Sequence, residues 1–455
     1  MKNIIKLSLI TALTISAAYA ADEAVGAEDS VRKKIAGVGE PEIVHGNDVN
    51  DFGDFFKKGK VSGQLELMYS GYNETGTNST SADPYSTAIG GQLKFDTGHW
   101  NGFGAGVEFT TVQEIRPLSG DNDDGERATM LVSTEGDYTE VSQAYLEYIN
   151  DGITLRAGRQ LIDTPLADSD DIRIVNNTFE AYIAMYETDN LSLMGGYLHK
   201  WQGTDTGLVN DDAAPADTDA WQETGEDGTY FAGVNYDNDL FHLGAWYYDI
   251  SETDANENSL GQNVANRSVY VDTTLHAIAS DDFSLDVSAQ YLQQSSEDGS
   301  DIEADIYGVM AEVSISDLGL MAAYNRRDAD DDETSFSGFG GGTLFTNMDN
   351  MIIDAINGGD VDAYMIGATY AINDFTVGYA YSAFDSDSIS GTANGFDRGD
   401  EDIIEHNIGA EYAYTDNLTF FAIVTISEDK ENTGTSAINN SGDFTNVRAS
   451  VSYNF

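Results

Sequence analysis

The chain has 455 residues, and its 79 Asp and Glu against 21 Lys and Arg give a formal net charge of −58, which excludes nucleic-acid binding because phosphate would be repelled. It contains no cysteine, so disulfide scaffolds, thiolate metal sites and cysteine nucleophiles are excluded. Disorder is excluded too, since 41% of the residues are hydrophobic and 11% aromatic, enough to build a large fold.

Residues 1–20 read as a cleaved signal peptide. Lys2 and Lys6 form a positive start, residues 7–17 a short apolar run, and Ala18-Tyr19-Ala20 a small-x-small cleavage site. The apolar run is well short of the roughly 20 residues a spanning helix needs. Residues 21–60 are polar and acidic without strand alternation. They are expected to form a periplasmic N-terminal extension, either with a short helix near residues 30–36 or as an untethered tail. No later stretch is long and apolar enough to cross a membrane as a helix. A membrane location then requires a closed barrel, in which every backbone group is paired.

From Val61 the pattern alternates. Val61, Gly63, Leu65, Leu67 and Tyr69 fall on one face, with Ser62, Gln64 and Glu66 opposite; a period of two puts the sets on opposite sides of a sheet. Eighteen strands are predicted, near 61–70, 86–97, 103–114, 139–149, 153–161, 178–187, 191–200, 228–237, 240–251, 267–279, 283–295, 303–315, 319–327, 361–372, 375–385, 402–414, 418–427 and 443–455. The last carries Val447, Ala449, Val451, Tyr453 and Phe455 on one face.

Connection lengths alternate. Short ones fall at Asp151-Gly152, Asp189-Asn190, Asn238-Asp239, Asp281-Asp282, Ser316-Asp317, Asn373-Asp374 and Asp416-Asn417, the residue types that tight turns demand. Long ones lie near 115–138, 161–177, 201–227, 252–266, 328–360, 386–401 and 428–442. Outer-membrane barrels separate short periplasmic turns from long outer loops by this parity. Residues 61–455 are therefore read as an all-β transmembrane antiparallel barrel of a Gram-negative outer membrane, with both termini periplasmic. The alternative is a secreted β-sandwich or solenoid, but a solenoid needs a fixed repeat that these loops lack.

Residues 143–187 contain Gln143-Ala144-Tyr145-Leu146-Glu147-Tyr148, then Ile153-Thr154-Leu155-Arg156-Ala157-Gly158-Arg159-Gln160, Asp163-Thr164-Pro165, Asp170-Asp171-Ile172-Arg173 and Asn177-Thr178-Phe179-Glu180. This progression resembles the third-loop region of the OprD-like outer-membrane porin family. Residues 56–63, and residues 340–347 followed by 360–370, resemble the version of that family seen in epsilon-type proteobacteria. The resemblance implies an eighteen-strand barrel whose third loop folds into the lumen. Two departures stand out. Ile174-Val175-Asn176-Asn177 follows Arg173 where family members often carry Leu-Pro. The family's best-known members line the lumen with a ladder of basic residues, which 21 Lys and Arg in the whole chain can populate only thinly. The aromatic C-terminal strand ending in Phe455 also resembles the signal read by the barrel-assembly machinery.

A barrel this wide holds water unless something fills it, and loop 161–177 is the expected filler. Its candidate constriction residues are Arg159, Asp163, Asp168, Asp170, Asp171 and Arg173. Facing acids and bases across a narrow polar pore set up a transverse field that orients zwitterions; the plainer reading is that they pair to hold the loop. By parity, Gln143, Tyr145, Glu147, Arg156, Lys94 and Arg448 line the lumen, with Gln64, Glu66, Gln92, Tyr270, Asp272, His276 and Glu411. Arg159 has outward parity in a regular strand and is better placed in the loop or at a bulge, because a lipid-facing Arg at mid-bilayer costs about 2–4 kcal/mol.

Of the acidic runs 121–126 and 328–333, the first superficially resembles a calcium loop but lacks the full ligand spacing and the distal Glu at the twelfth position. They are expected to be hydrated loops that draw cations to the mouth, and bridging of divalent cations to lipopolysaccharide is the alternative. The expected function is passive diffusion of small hydrophilic solutes such as amino acids, small carboxylates and ions, with mild cation preference. The alternative is a general diffusion porin without substrate preference. An enzyme is not expected, since the six His form no grouping with Ser and Asp, and no cofactor or metal is implied. Expected partners are the solutes, outer-membrane lipid and lipopolysaccharide, the barrel-assembly machinery, and further copies in a homotrimer.

Overall fold

The computed structural model describes residues 48–49, 52–74, 83–120, 131, 137–169, 173–203, 221–254, 262–280, 282–340, 342–356, 358–386, 401–430 and 443–455. The signal peptide, the helix expected near 30–36 and the acidic run 121–126 lie outside the described residues.

Eighteen long strands build the wall. They are β1 (Lys60–Glu74), β2 (Tyr85–Asp96), β3 (Phe103–Glu114), β4 (Tyr138–Asn150), β5 (Ile153–Gln160), β6 (Thr178–Glu187), β7 (Leu191–Gln202), β8 (Thr229–Asp237) and β9 (Phe241–Ile250). The second half comprises β10 (Asn266–Ala279), β11 (Phe283–Ser296), β12 (Ala304–Ile315), β13 (Leu318–Asp328), β14 (Val361–Ile372), β15 (Phe375–Ser386), β16 (Glu401–Thr415), β17 (Leu418–Asp429) and β18 (Asp443–Asn454). Each pairs antiparallel with its sequence neighbours, and β18 returns to β1 with a register running from Gln64↔Asn454 to Glu74↔Phe444. Closure removes the unpaired edges that lipid would not tolerate.

The period of two is realised along the wall. On β11, Ser288, Gln290, Leu292 and Gln294 are buried while Val287, Ala289, Tyr291 and Gln293, which alternate with them, are exposed. The outward set is apolar and aromatic, including Leu65, Leu93, Leu146, Tyr182, Ile366 and Ile408, as a lipid-facing surface requires. The short connections are tight: Asp151 and Gly152 both take positive φ, 49° and 79°, the pair of angles a two-residue hairpin turn needs to match strand twist. The first strand is longer than expected, running past residue 70 to Glu74.

The end of the N-terminal extension is structured where described. Asp48 and Val49 pair parallel with His99 and Trp100, in the connection between β2 and β3. A single helical turn at Asp54–Lys57 follows, and the chain then enters β1.

Candidate channel constriction

The third loop leaves β5 through Gln160, whose buried side chain donates to Gly158 O and Ala181 O at 3.1 Å. It then makes a small hairpin in which Asp163 pairs with Asp168 and Thr164 with Ala167. Pro165 and Leu166 form its tip, and proline presets the φ such a turn needs. The Thr164 hydroxyl closes the hairpin on Ala167 O at 3.1 Å, and Ser169 Oγ accepts from Ile162 N at 3.0 Å. Ile162, Leu166 and Ala167 are buried in one apolar cluster with Phe179, Trp201, Phe231 and Tyr248. Leu166 N donates to the Tyr248 hydroxyl at 3.3 Å. Tyr248 stands on the buried face of β9, opposite the outward Tyr247.

The far end of the same loop rests elsewhere. Gln92, on β2, donates to Asn176 Oδ1 at 2.7 Å, and Ile174 and Val175 pack with Met68, Ala88, Val112 and Tyr138. The described parts of this loop, residues 162–169 and 173–177, thus touch the inner faces of β9 and of β2, seven strands apart in the wall.

A second loop, residues 329–360 between β13 and β14, meets the first. Ala167 and Phe339 form a parallel bridge. Phe339 N donates to Leu166 O and Asp168 N to Phe339 O, both at 3.0 Å. From there this loop follows the opposite wall. Thr346 donates to Asn325 Oδ1 of β13 through N at 3.1 Å and Oγ1 at 3.2 Å. Asn350 N and Met351 N donate to the Glu405 carboxylate of β16 at 3.2 and 2.9 Å. Asp349 accepts from Arg448 of β18 and from Thr425 of β17. The loop's own Leu344, Met348, Met351, Ile353 and Ile356 are buried, and Arg327 donates to Gly358 O and Gly359 O at its base at 2.7 and 2.9 Å.

The wall beside the third loop is polar. Arg156 on β5 donates to Glu147 Oε2 through Nε at 3.2 Å and Nη2 at 2.9 Å, while His99 Nε2 lies 2.9 Å from Glu147 Oε1. The Arg156 guanidinium lies 4.3 Å from the centre of the Tyr145 ring, and the Tyr145 hydroxyl donates to Asp96 at 2.7 Å. Lys94 Nζ is 3.6 Å from the same carboxylate. Gln143 and Ser142 donate to Glu108 at 2.9 and 2.7 Å. Gln143, Tyr145, Glu147, Arg156, Lys94 and Arg448 therefore all stand on the inner face, held by wall or loop partners. Among the described residues, seven carboxylates are buried on this face (Glu66, Asp96, Glu108, Glu147, Asp272, Glu405 and Asp429) against three guanidiniums, Arg156, Arg327 and Arg448.

The expected constriction set separates. Asp163 and Asp168 are half-buried in the hairpin. Arg173 is half-buried, and its Nε has no hydrogen-bond partner among the described residues. Asp170 and Asp171 lie outside the described residues. Arg159 is a correction: it is neither in the loop nor at a bulge. The strand stays in register, with Arg159 opposite Ala144 and Glu180 on the outer face. Its Nε lies 3.7 Å from Glu180, and its guanidinium 4.3 Å from the centre of the Trp221 ring. It sits next to the last residue of β5, at a barrel rim where an outward Arg costs only about 0–1 kcal/mol.

Asp349, Thr346, Glu405 and Thr425 escaped sequence reasoning. The available signal was the apolar content of residues 336–356, with Phe336, Phe339, Leu344, Phe345, Met348, Met351 and Ile353, too much for a loop lying in water.

The profile of the Gram-negative porin family matches residues 9–455. No curated protein matches the chain by sequence. Solved structures do resemble it. The Pseudomonas aeruginosa OpdQ crystal structure aligns with a TM-score of 0.65 at 16% identity, covering 89% of this chain and 99% of that one. Acinetobacter baumannii OccAB2 gives 0.69 at 16% identity over 88% and 99%, and Pseudomonas aeruginosa OpdK 0.66 at 17% over 88% and 99%.

Proposed function

The chain belongs to the Gram-negative porin family and is an outer-membrane diffusion channel; from that premise we propose a substrate-preferring OprD-like channel for small hydrophilic solutes, biased toward cations. Amino acids, small carboxylates and small ions are its solute classes. The resemblance of residues 56–63 and 340–347, followed by 360–370, to the epsilon-type version of that family supports this reading. The channel is passive.

The observation that carries the reading is the excess of seven buried inner-face carboxylates over three guanidiniums, beside two loops that meet at Ala167 and Phe339. In a narrow low-dielectric passage, such an excess raises the local concentration of cations. The narrowing itself is assigned to residues 162–169, 173–177 and 343–351 together.

Planar-bilayer recording of the purified protein under a salt gradient tests this. The reversal potential is expected on the cation-selective side; clear anion selectivity overturns the charge argument. Amino acids are expected to compete with the ionic current. If no solute in a panel of amino acids and carboxylates does so, the channel is a general diffusion porin.

A further inference from the structure

The periplasmic rim carries one feature that conduction does not use. Each of the seven short turns from Asp151-Gly152 to Asp416-Asn417 contains an aspartate, so this rim is acidic. The exception lies where the chain enters the wall. Lys57, Lys58 and Lys60 fall within four residues, and the stretch 55–63 contains no acid. Asp54 is 3.9 Å from Lys57 and 3.8 Å from Lys58, and these two lysine side chains are 76% and 48% exposed.

Aromatic rings accompany the lysines. Phe52 and Phe56 are 58% and 62% exposed. Phe52 stacks edge-on against Trp100 at 5.5 Å, and Phe55 against Phe56 at 5.1 Å. The segment is fastened to the connection between β2 and β3 by Gly98 N donating to Phe55 O at 2.8 Å. Trp100 in turn pairs with Phe103, an exposed residue whose ring lies 4.9 Å from Tyr148 on the outer face of the wall. The rings thus continue the lipid-facing surface of the barrel beyond its edge.

We propose that residues 52–60 with Trp100 form a docking surface for anionic phospholipid headgroups of the periplasmic leaflet. Exposed aromatic rings settle at the level of headgroups, and clustered lysines there are attracted to anionic lipid over about a Debye length. Elsewhere on the rim the aspartates repel the same headgroups. The barrel is therefore tethered to anionic lipid at one point of its circumference, beside β1.

Hydrogen exchange of the full-length mature protein in nanodiscs tests the proposal. The comparison is phosphatidylcholine alone against phosphatidylcholine mixed with phosphatidylglycerol. Exchange in residues 52–60 is expected to slow by roughly 10-fold or more in the mixed bilayer, and added salt reverses the slowing. A triple Lys57→Gln, Lys58→Gln, Lys60→Gln variant should lose the difference between lipids. Heat-modifiable gel mobility confirms that its barrel is folded. Equal exchange in both bilayers for the unaltered protein overturns the proposal, as does undiminished protection in the triple variant. The first result also covers the competing occupants, a second copy of the chain or a cell-wall glycan, neither of which responds to lipid charge.

Discussion

Asp349 accepts a hydrogen bond from Arg448, a residue 99 positions further along, and so ties the loop after β13 to the last strand of the barrel. Both side chains are nearly inaccessible, at 2% and 6% exposure. With Glu405 receiving Asn350 N and Met351 N, the tie holds residues 346–351 against β16, β17 and β18. A loop left in water would make neither contact.

Removing this tie is the first prediction. Asp349→Ala removes the carboxylate that accepts from the Arg448 guanidinium, and breaking a buried pair costs about 3–5 kcal/mol. The wall ladders are untouched, so the barrel still folds and the cost falls on the loop. Amide exchange in residues 343–351 is expected to accelerate by about 100-fold or more, at 1.4 kcal/mol per factor of ten. Single-channel conductance should rise. Native exchange and conductance in the variant would show that the pair does not hold the loop.

At the other loop, Tyr248→Phe removes one hydroxyl and leaves Leu166 N without its acceptor inside an apolar cluster. An unsatisfied buried N–H costs about 1–3 kcal/mol. Exchange at residues 162–169 should quicken by about tenfold, with noisier open-channel current. Residues 343–351 should change less, because their own ties lie on β13, β16, β17 and β18.

The wall charges give a signed prediction. Arg156→Gln withdraws a positive charge beside Glu147, which keeps His99 at 2.9 Å as a hydrogen-bond partner. The reversal potential under a salt gradient should move toward greater cation selectivity. Glu147→Gln withdraws a negative charge from the same place and should move it the other way. Shifts of the same sign from both would show that loosening of the wall, and not its charge, governs selectivity.

How much of this could be read in the chain follows from what each residue depends on. The wall was legible because a strand's period of two depends only on local order: Gln143, Tyr145 and Glu147 face inward because Leu146 faces out. Turn residues such as Asp151 and Gly152 announced the strand ends. Arg159 was misjudged because the cost of an outward arginine was taken at mid-bilayer, whereas strand length and loop contacts set its height, and Glu180 and Trp221 wait beside it. The partners of Asp349 were illegible for a stronger reason. Thr425 and Arg448 lie 76 and 99 residues away, and nothing periodic links such positions before the barrel has closed.

The contact between the loops allows the most selective test. Gly338 has φ +106°, and a Cβ there would lie 2.5 Å from Leu166 Cα and 2.7 Å from its carbonyl carbon and oxygen. These are backbone atoms, which cannot rotate aside. Gly338→Ala therefore adds backbone strain of about 1–3 kcal/mol and forces the loops apart at the Ala167–Phe339 bridge. The two backbone hydrogen bonds there, at 3.0 Å, are each worth about 0.5–1.5 kcal/mol. Gly299→Ala is the matched control. That glycine also has positive φ, +77°, but a Cβ there has nothing within 4 Å, so it adds strain without a clash. Gly338→Ala should raise conductance and speed exchange at residues 166–168 and 337–340 together, while Gly299→Ala leaves conductance unchanged. If Gly338→Ala conducts like the unaltered protein, the junction of the two loops does not set the width of the path. The constriction would then belong to the polar wall around Glu147 and Arg156.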